Sequence, residues 1–317
     1  MDFRTGQLAG HTVARVGYGA MQLEHTDRQA ALTVLRRAIE LGVNHIDTAE
    51  FYGDGVVNGL IREALHPYPE QLVLVSKVGA VHDGHTGLVL AQRPEQLRAQ
   101  VDANLRRLDI ERLPVVNLRR ADAGPGLLAT AEQRVDLAAQ LAELVALRDE
   151  GKIAAIGLSH VSLDQLHQAL PAGIVCVQNY YNVLQRSDEP LLQVCRAHEL
   201  AWVPFFPLGS GFVGTGPATN PQAAEAFASL KKVTDHPAVI AAAAAQNATP
   251  AQVGLAWLLA HDPRVLLIPG TANAEHLAEN VAAAELHLDA DTLATLDGLA
   301  DPRRTCTQTD FCGECSS

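Results

Sequence analysis

Asp47, Tyr52 and Lys77 are residues whose types and positions could do chemistry together. Asp47 ends a short apolar run, Val43–Asp47, Tyr52 follows in the same connection, and Lys77 closes the next run, Leu72–Lys77. An ammonium beside a phenol favours the phenolate, so the tyrosine pKa is expected to fall below its ordinary value. Such a phenol is a general acid able to protonate a carbonyl oxygen as hydride reaches the carbon. A carboxylate beside the lysine would hold it charged and oriented. The same residues also admit a structural reading, a buried Asp–Lys ion pair with the tyrosine as core, because structural pairs perturb pKa values too.

Either reading needs a fold that gathers these positions. The chain alternates short apolar runs with longer helical patterns. The runs are Val13–Gly17, Val43–Asp47, Leu72–Lys77, Pro114–Leu118, Ile153–Ser159, Ile174–Gln178, Ala201–Phe206 and Val265–Pro269. Near-continuous Val, Ile and Leu is the mark of strands buried on both faces of a parallel sheet. Helix signals fill most gaps: Thr26 with Gln29, Pro94–Leu108, Leu137–Val145 before Gly151, Ser162 with Gln165, Thr249-Pro250-Ala251-Gln252, and Asp289 ahead of a last helix. The expected fold class is α/β, a (β/α)8 TIM barrel, with a doubly wound sheet as the structural alternative. Residues 1–300 are expected to form this single barrel and 301–317 a Cys-rich C-terminal tail. In a barrel, residues at the C-terminal ends of the strands point into the active-site mouth, which is where Asp47, Tyr52 and Lys77 fall.

Composition agrees with a folded globular chain. Of 317 residues, 48% are hydrophobic and 19% charged, and the net charge of −12 offers nothing to neutralise phosphates, so no nucleic-acid partner is expected. The apolar run Ala238–Ala245 is too short to cross a bilayer, so no membrane partner is expected either. Cys176 and Cys195 lie in the body of the chain, which reads as a reduced, cytoplasmic protein.

The stretch Val43-Asn44-His45-Ile46-Asp47-Thr48-Ala49-Glu50-Phe51-Tyr52-Gly53 resembles the signature of the aldo-keto reductases, NAD(P)H-dependent (β/α)8 enzymes. The resemblance runs from about residue 8 to residue 300. It takes in Gly17-Tyr18-Gly19-Ala20-Met21-Gln22, Ser76-Lys77, Ile156-Gly157-Leu158-Ser159, Val177-Gln178-Asn179, Phe206-Pro207-Leu208-Gly209, Ile268-Pro269-Gly270-Thr271, His276-Leu277 and Glu279-Asn280. Several motifs in order are far more specific than any one alone. The resemblance implies Tyr52 as proton donor, Lys77 as the residue lowering its pKa, and Asp47 as support for Lys77. Where the family has a fourth catalytic residue, a histidine, this chain has Arg119 in Val115-Val116-Asn117-Leu118-Arg119-Arg120. Arginine cannot relay a proton, since its pKa lies above ~12, but it can donate hydrogen bonds and add charge near Tyr52. The Val-Val-Asn-Leu-Arg run is most similar to the bacterial pyridoxal reductase branch, which implies a small-molecule aldehyde substrate, pyridoxal reduced to pyridoxine, and no metal.

The same resemblance implies the cofactor contacts. Ser159, Gln178 and His160 stand where the nicotinamide carboxamide is held, with His160 replacing the usual asparagine. Phe205 is placed to stack on the ring. Gly19, Ala20, Met21, Pro207, Leu208, Gly209 and Gly211 would line the ring and pyrophosphate. Pro269, Gly270, Thr271, His276, Glu279 and Asn280 would line the adenosine end, with Thr271 and the amides opening the helix at Asn273 as phosphate ligands. NADPH is the expected cofactor and NADH the alternative, because the arginine and lysine many relatives use for the 2′-phosphate are absent.

His82 and His85 read as loop residues near the mouth. The tail holds Cys306, Cys312 and Cys315, in a Thr/Ser/Cys setting outside the branch pattern. It is open to three readings: a disordered end, a thiol or metal-binding element, or a modified peptide carried by the barrel. A cofactor-bound sensor or scaffold with slow turnover is the rival to the reductase reading.

Overall fold

The computed structural model describes residues 4–83, 88–122, 128–209 and 230–300. His85, Gly211, Cys306, Cys312 and Cys315 lie outside the described residues, as does most of the Gly209–Asn220 stretch. Strands β1 (Thr5–Leu8) and β2 (His11–Ala14) form a hairpin whose two turn residues, Ala9 and Gly10, both have positive φ. That turn matches the right-handed twist of the strands it joins. Leu8 and Val13 project from it into the apolar interior with Val73, Val75, Val115, Ala155 and Leu266, and so plug the floor.

The main sheet is parallel. It runs β3 (Tyr18–Gly19), β4 (His45–Asp47), β5 (Val73–Val78), β8 (Leu113–Arg119), β9 (Ile153–Ser159), β10 (Ile174–Gln178) and β11 (Ala201–Trp202) in order around the barrel. A small hairpin, β6 (Ala80–His82) with β7 (Leu88–Leu90), projects after β5. The segment at 265–269 closes the ring. Val265 bridges Trp202 and Leu267 bridges Val16, both in parallel. The Gly17 N–H donates to the Leu267 carbonyl at 2.8 Å, and the Leu267 N–H to the Arg15 carbonyl at 2.7 Å. Buried Arg15 fastens this seam, donating to the carbonyls of Val265 (3.1 Å), Leu259 (2.9 Å) and Asp262 (2.6 Å). Among the described residues the ring is made of seven strands and the 265–269 segment, which joins their two edges through single bridges, so the eight apolar runs account for its eight members and the doubly wound alternative is excluded.

The helices lie outside the ring and bury one face against it. Leu97, Val101 and Leu108 of the helix Pro94–Leu108 are fully buried, as are Leu144 and Leu147 of Leu137–Asp149, in one core with Ile46, Val116, Ile156 and Val177. Ser162 with Gln165 and Thr249 with Gln252 both form the expected capping boxes. The first helix differs from expectation: its cap is Asp27, which accepts from the Gln29 and Ala30 amides, and it spans Arg28–Glu40. Thr26 instead ends a short 3-10 turn, its hydroxyl donating to the Gln22 carbonyl. A carboxylate one residue nearer the helix wins because it accepts two amide protons with charge assistance. Among the described residues no helix is long and apolar enough to cross a membrane.

Candidate active site

The period of two along a strand decides what lines the barrel. Val75, Val115, Ala155 and Cys176 face inward in one core, which puts Lys77, Asn117, Arg119, Gly157, Ser159 and Gln178 on the same inner face nearer the C-terminal mouth. The inward residue closest to the mouth is polar on each of five consecutive strands: Asp47, Lys77, Arg119, Ser159 and Gln178. Polarity is thus concentrated toward one end of the lumen, with the apolar hairpin plug at the other.

Lys77 is the hub. Its Nζ donates to Asp47 Oδ1, to the Thr48 carbonyl at 3.1 Å and to the Tyr52 hydroxyl at 3.1 Å. An ammonium has three protons, so all of them are committed. Since the lysine donates to the Tyr52 oxygen, the phenolic proton does not point at Lys77 and is free to be given to another acceptor. Asp47 is held from its other side by Gln178, whose Nε2 donates to Oδ2 at 2.6 Å. Asp47 and Lys77 are buried, while Tyr52 is half-buried, with Phe51 edge-on to its ring at 5.2 Å.

The electrostatics correct one expectation. Burial raises the Tyr52 pKa by more than the Lys77 and Arg119 cations lower it, and the Asp47 carboxylate adds to the rise. The phenol therefore sits above the ordinary tyrosine value, not below it, and stays protonated at neutral pH. Burial pulls Lys77 down, but Asp47 and Tyr52 together leave it above the usual lysine value.

Arg119 ends β8 and pairs in register with Ser159. Burial lowers its pKa and interaction with Tyr52 opposes that shift, so the guanidinium and the phenol are electrostatic neighbours. Its Nη1 is buried without a hydrogen-bond partner. Its carbonyl accepts from Gln92 Nε2 at 2.8 Å, and the same nitrogen donates to the Gly79 carbonyl at 2.6 Å. Gly79, at φ +115°, is required here, because a Cβ would stand 2.3 Å from the Arg119 oxygen.

The expected cofactor residues ring this centre. Ser159 is buried beside Gln178, whose Oε1 is buried and lacks a partner. Phe205 is half-buried and stacks on Tyr180 at 6.0 Å, and the His160 ring stands edge-on to it at 5.9 Å. The Ala20 N–H donates to the Asp47 carbonyl, which sets Gly19, Ala20 and Met21 at the mouth. Pro207 is buried, and the Leu208 carbonyl accepts from the Val233 N–H at 3.0 Å. The Gly209 N–H, expected to face the pyrophosphate, donates instead to the Phe206 carbonyl at 2.9 Å. Gly19 and Gly270 stand where two strands cross closely: a Cβ on Gly19 would lie 2.4 Å from the Ile268 carbonyl, and one on Gly270 2.7 Å from that of Gly19.

The 2′-phosphate expectation also changes. The Thr271 hydroxyl accepts from the Asn273 amide at 3.0 Å, and Asn273 Oδ1 accepts from the Glu275 and His276 amides at 2.7 and 3.2 Å. The helix start that was to hold a phosphate is already capped by its own side chain. Pro269 leads into this turn; His276 is exposed, and Glu279 and Asn280 lie one turn further along the same helix.

Sequence reasoning missed a buried polar network behind the centre. The Thr48 hydroxyl donates to Asn58 Oδ1 at 2.8 Å, Asn58 Nδ2 donates to Glu50 at 2.6 Å and to Asn104 at 3.0 Å, and the Ser76 hydroxyl donates to Asn104 at 2.6 Å. It fixes the connection carrying Thr48 and Tyr52 against two helices. The available signal was Asn58 itself, an amide among Val57, Leu60 and Ile61 on an apolar helix face.

The sequence matches the aldo/keto reductase family over residues 15–301. It is 42% identical to pyridoxine 4-dehydrogenase of Escherichia coli (strain K12), covering 95% of this chain and 99% of that one. It is 33% identical to an uncharacterised oxidoreductase of Schizosaccharomyces pombe, covering 92% and 89% respectively. Its structure superposes on an aldo/keto reductase from Klebsiella pneumoniae, solved with NADP and acetate, with a TM-score of 0.74 at 26% identity, covering 95% of this chain and 97% of that one. A polar cluster at the C-terminal mouth of a parallel barrel and a family match spanning the same residues agree: this chain is an oxidoreductase belonging to the aldo/keto reductase family.

Proposed function

We propose that this protein reduces the aldehyde of pyridoxal, or of a similar small aromatic aldehyde, to the alcohol with NADPH, NADH serving as the alternative donor. The observation that carries the reading is the Tyr52 hydroxyl, held at 3.1 Å by a lysine whose other protons go to Asp47 and the Thr48 carbonyl. The likeness to the E. coli pyridoxine 4-dehydrogenase supports the substrate, and the K. pneumoniae structure with NADP supports the cofactor.

The residues present fit a nicotinamide dinucleotide. Gln178 Oε1 is a buried acceptor in want of a donor, which an amide N–H supplies, with Ser159 beside it. Phe205 offers a partly exposed aromatic face. Gly19, Ala20, Met21, His160, Pro207, Leu208 and Gly209 would border the ring and its phosphates, and Pro269, Gly270, Thr271, His276, Glu279 and Asn280 the adenosine end. A reduced nicotinamide supplies the hydride when bound. Tyr52 gives its proton to the carbonyl oxygen, and the phenolate left behind is stabilised by Lys77, which Asp47 and the Thr48 carbonyl keep in place. Arg119 adds a fixed positive charge beside Tyr52. Cys176 and Cys195, both buried free thiols, fit a reducing compartment, the cytoplasm.

The test is loss of the reduced-nicotinamide absorbance with pyridoxal, using each cofactor. Wild type should turn over, and Tyr52→Phe should abolish turnover while binding NADPH with unchanged affinity. A protein that binds NADPH yet reduces no aldehyde faster than its Tyr52→Phe variant is a sensor or scaffold, and the proposal fails.

A further inference from the structure

Among the described residues at the ends of the inner strands, one charge stands without a counter-charge. Lys77 and Asp47 cancel each other in direct contact. Ser159, Gln178 and Asn117 are neutral. Tyr52 keeps its proton, and His45, in the lumen below, is held neutral by burial, which lowers its pKa to about 4. What remains is the Arg119 guanidinium, which stays charged despite burial. Among the described residues no carboxylate lies within salt-bridge distance of it, and Tyr52 is its electrostatic neighbour. A buried cation without a counter-charge is costly, and folding gains nothing from an orphaned guanidinium N–H. A neutral carbonyl oxygen would satisfy the donor and leave the charge standing; an anionic oxygen satisfies both.

We propose that Arg119 determines substrate specificity by binding an anionic oxygen that the substrate carries beside its carbonyl group. This rests on the carbonyl reductase reading above. With the carbonyl oxygen at the Tyr52 hydroxyl, the anionic oxygen falls on the Arg119 side, because the two residues are neighbours. Two kinds of compound offer this chemistry. An aromatic aldehyde with an ionised hydroxyl in the ortho position, as in pyridoxal, is one. A 2-oxo acid, with its carboxylate next to the carbonyl, is the other. Uncharged aldehydes of the same size leave the guanidinium unpaired and are disfavoured.

The experiment compares kcat/KM within matched pairs: pyridoxal against its ring-O-methylated analogue, and glyoxylate against its methyl ester. Wild type should prefer the ionised member of at least one pair by roughly a hundredfold, the scale of an unpaired buried charge, and the pair showing it identifies the source of the anion. Arg119→Gln should collapse that ratio to within about threefold, and Arg119→Lys should restore part of it. Equilibrium binding gives a readout free of turnover. The pyridoxal analogue with a methyl group in place of the aldehyde should bind Arg119→Gln roughly a hundredfold more weakly than wild type. If wild type reduces both members of both pairs equally well, the Arg119 assignment is overturned and the reductase reading stands. If wild type reduces none of the four with either cofactor, the reductase reading falls as well. The wild-type comparison needs no variant, so a poorly folding substitution leaves the test intact.

Discussion

Replacing Lys77 with Met removes the ammonium while keeping the stem that packs in the lumen. In wild type that ammonium stands 3.1 Å from the Tyr52 oxygen. At an effective dielectric of about 20, a full charge pair at this distance contributes about 5 kcal/mol. Proton transfer is about half complete in the transition state, so about 2–3 kcal/mol of this reaches the barrier, or roughly a hundredfold in kcat/KM for reduction. A second loss appears in stability. Asp47 keeps the Gln178 hydrogen bond and loses its counter-charge, leaving a buried carboxylate half-satisfied. Breaking a buried pair in this way costs about 3–5 kcal/mol. Because the folded Lys77 pKa is raised, the pair's contribution is fully present at neutral pH and is lost only as pH climbs through that raised value. Steady-state reduction of pyridoxal, cofactor binding by fluorescence quenching and urea unfolding at neutral pH measure the three quantities. A Lys77→Met enzyme that binds NADPH normally and keeps more than about a third of wild-type kcat/KM would refute the view that Lys77 stabilises the Tyr52 phenolate.

The raised Tyr52 pKa predicts that kcat/KM for reduction stays level from neutral pH through the ordinary tyrosine pKa and falls only above it; a descending limb below that value would show the phenol to be more acidic. Burial lowers the His45 pKa to about 4 from 6.5, so the unfolded chain binds the extra proton between those values and stability falls as pH drops through them. At pH 5 the loss relative to pH 7 from this residue is about 2 kcal/mol, and urea midpoints of wild type against His45→Gln should differ in slope across this range by that amount. Gly157→Ala places a Cβ 1.9 Å from Asn117 Oδ1 and 2.5 Å from the Cys176 sulfur in the lumen. It should cost about 1–3 kcal/mol or more of stability, read as a lowered Tm, and an unchanged Tm would mean that the lumen repacks freely.

The barrel was legible because each strand buried on both faces leaves an apolar run, and eight of these occur at the right spacing. Ile153–Ser159 and Ile174–Gln178 were readable to the residue. The two ends of the ring were less so. Val13–Gly17 divides between the floor hairpin and β3, and Val265–Pro269 pairs through two bridges, distinctions set by pairing partners distant in sequence. The positions of Asp47 and Lys77 at strand ends were readable from sequence alone, and Tyr52 from the connection between them. The direction of the Tyr52 shift was not, because it depends on how desolvation balances against Lys77, a sum that needs the packed structure. For the same reason the cap on the Ala274–Ala282 helix could not be foreseen. A helix start reads as open to anions until the Asn273 side chain is seen to occupy its amides. The Thr48–Asn58–Asn104–Ser76 network joins four separate elements, and nothing in local spacing connects them.

The seam of the barrel determines when the site comes into existence. Asp47 and Lys77 sit on neighbouring strands early in the chain, with Tyr52 in the connection between them. The segment that meets Val16 is among the last parts of the barrel to be synthesised, and until it arrives two sheet edges stand open. The proposed cofactor residues fall on both sides of that late join: Gly19 and Ala20 on one, Pro269 to Thr271 on the other. A dinucleotide lying across it binds the closed ring and not the open one, and so adds to the free energy of closure in proportion to the logarithm of its concentration. On the proposed placement, a bound cofactor would clasp the first strand to the last segment, and added NADPH would raise the Tm of the protein.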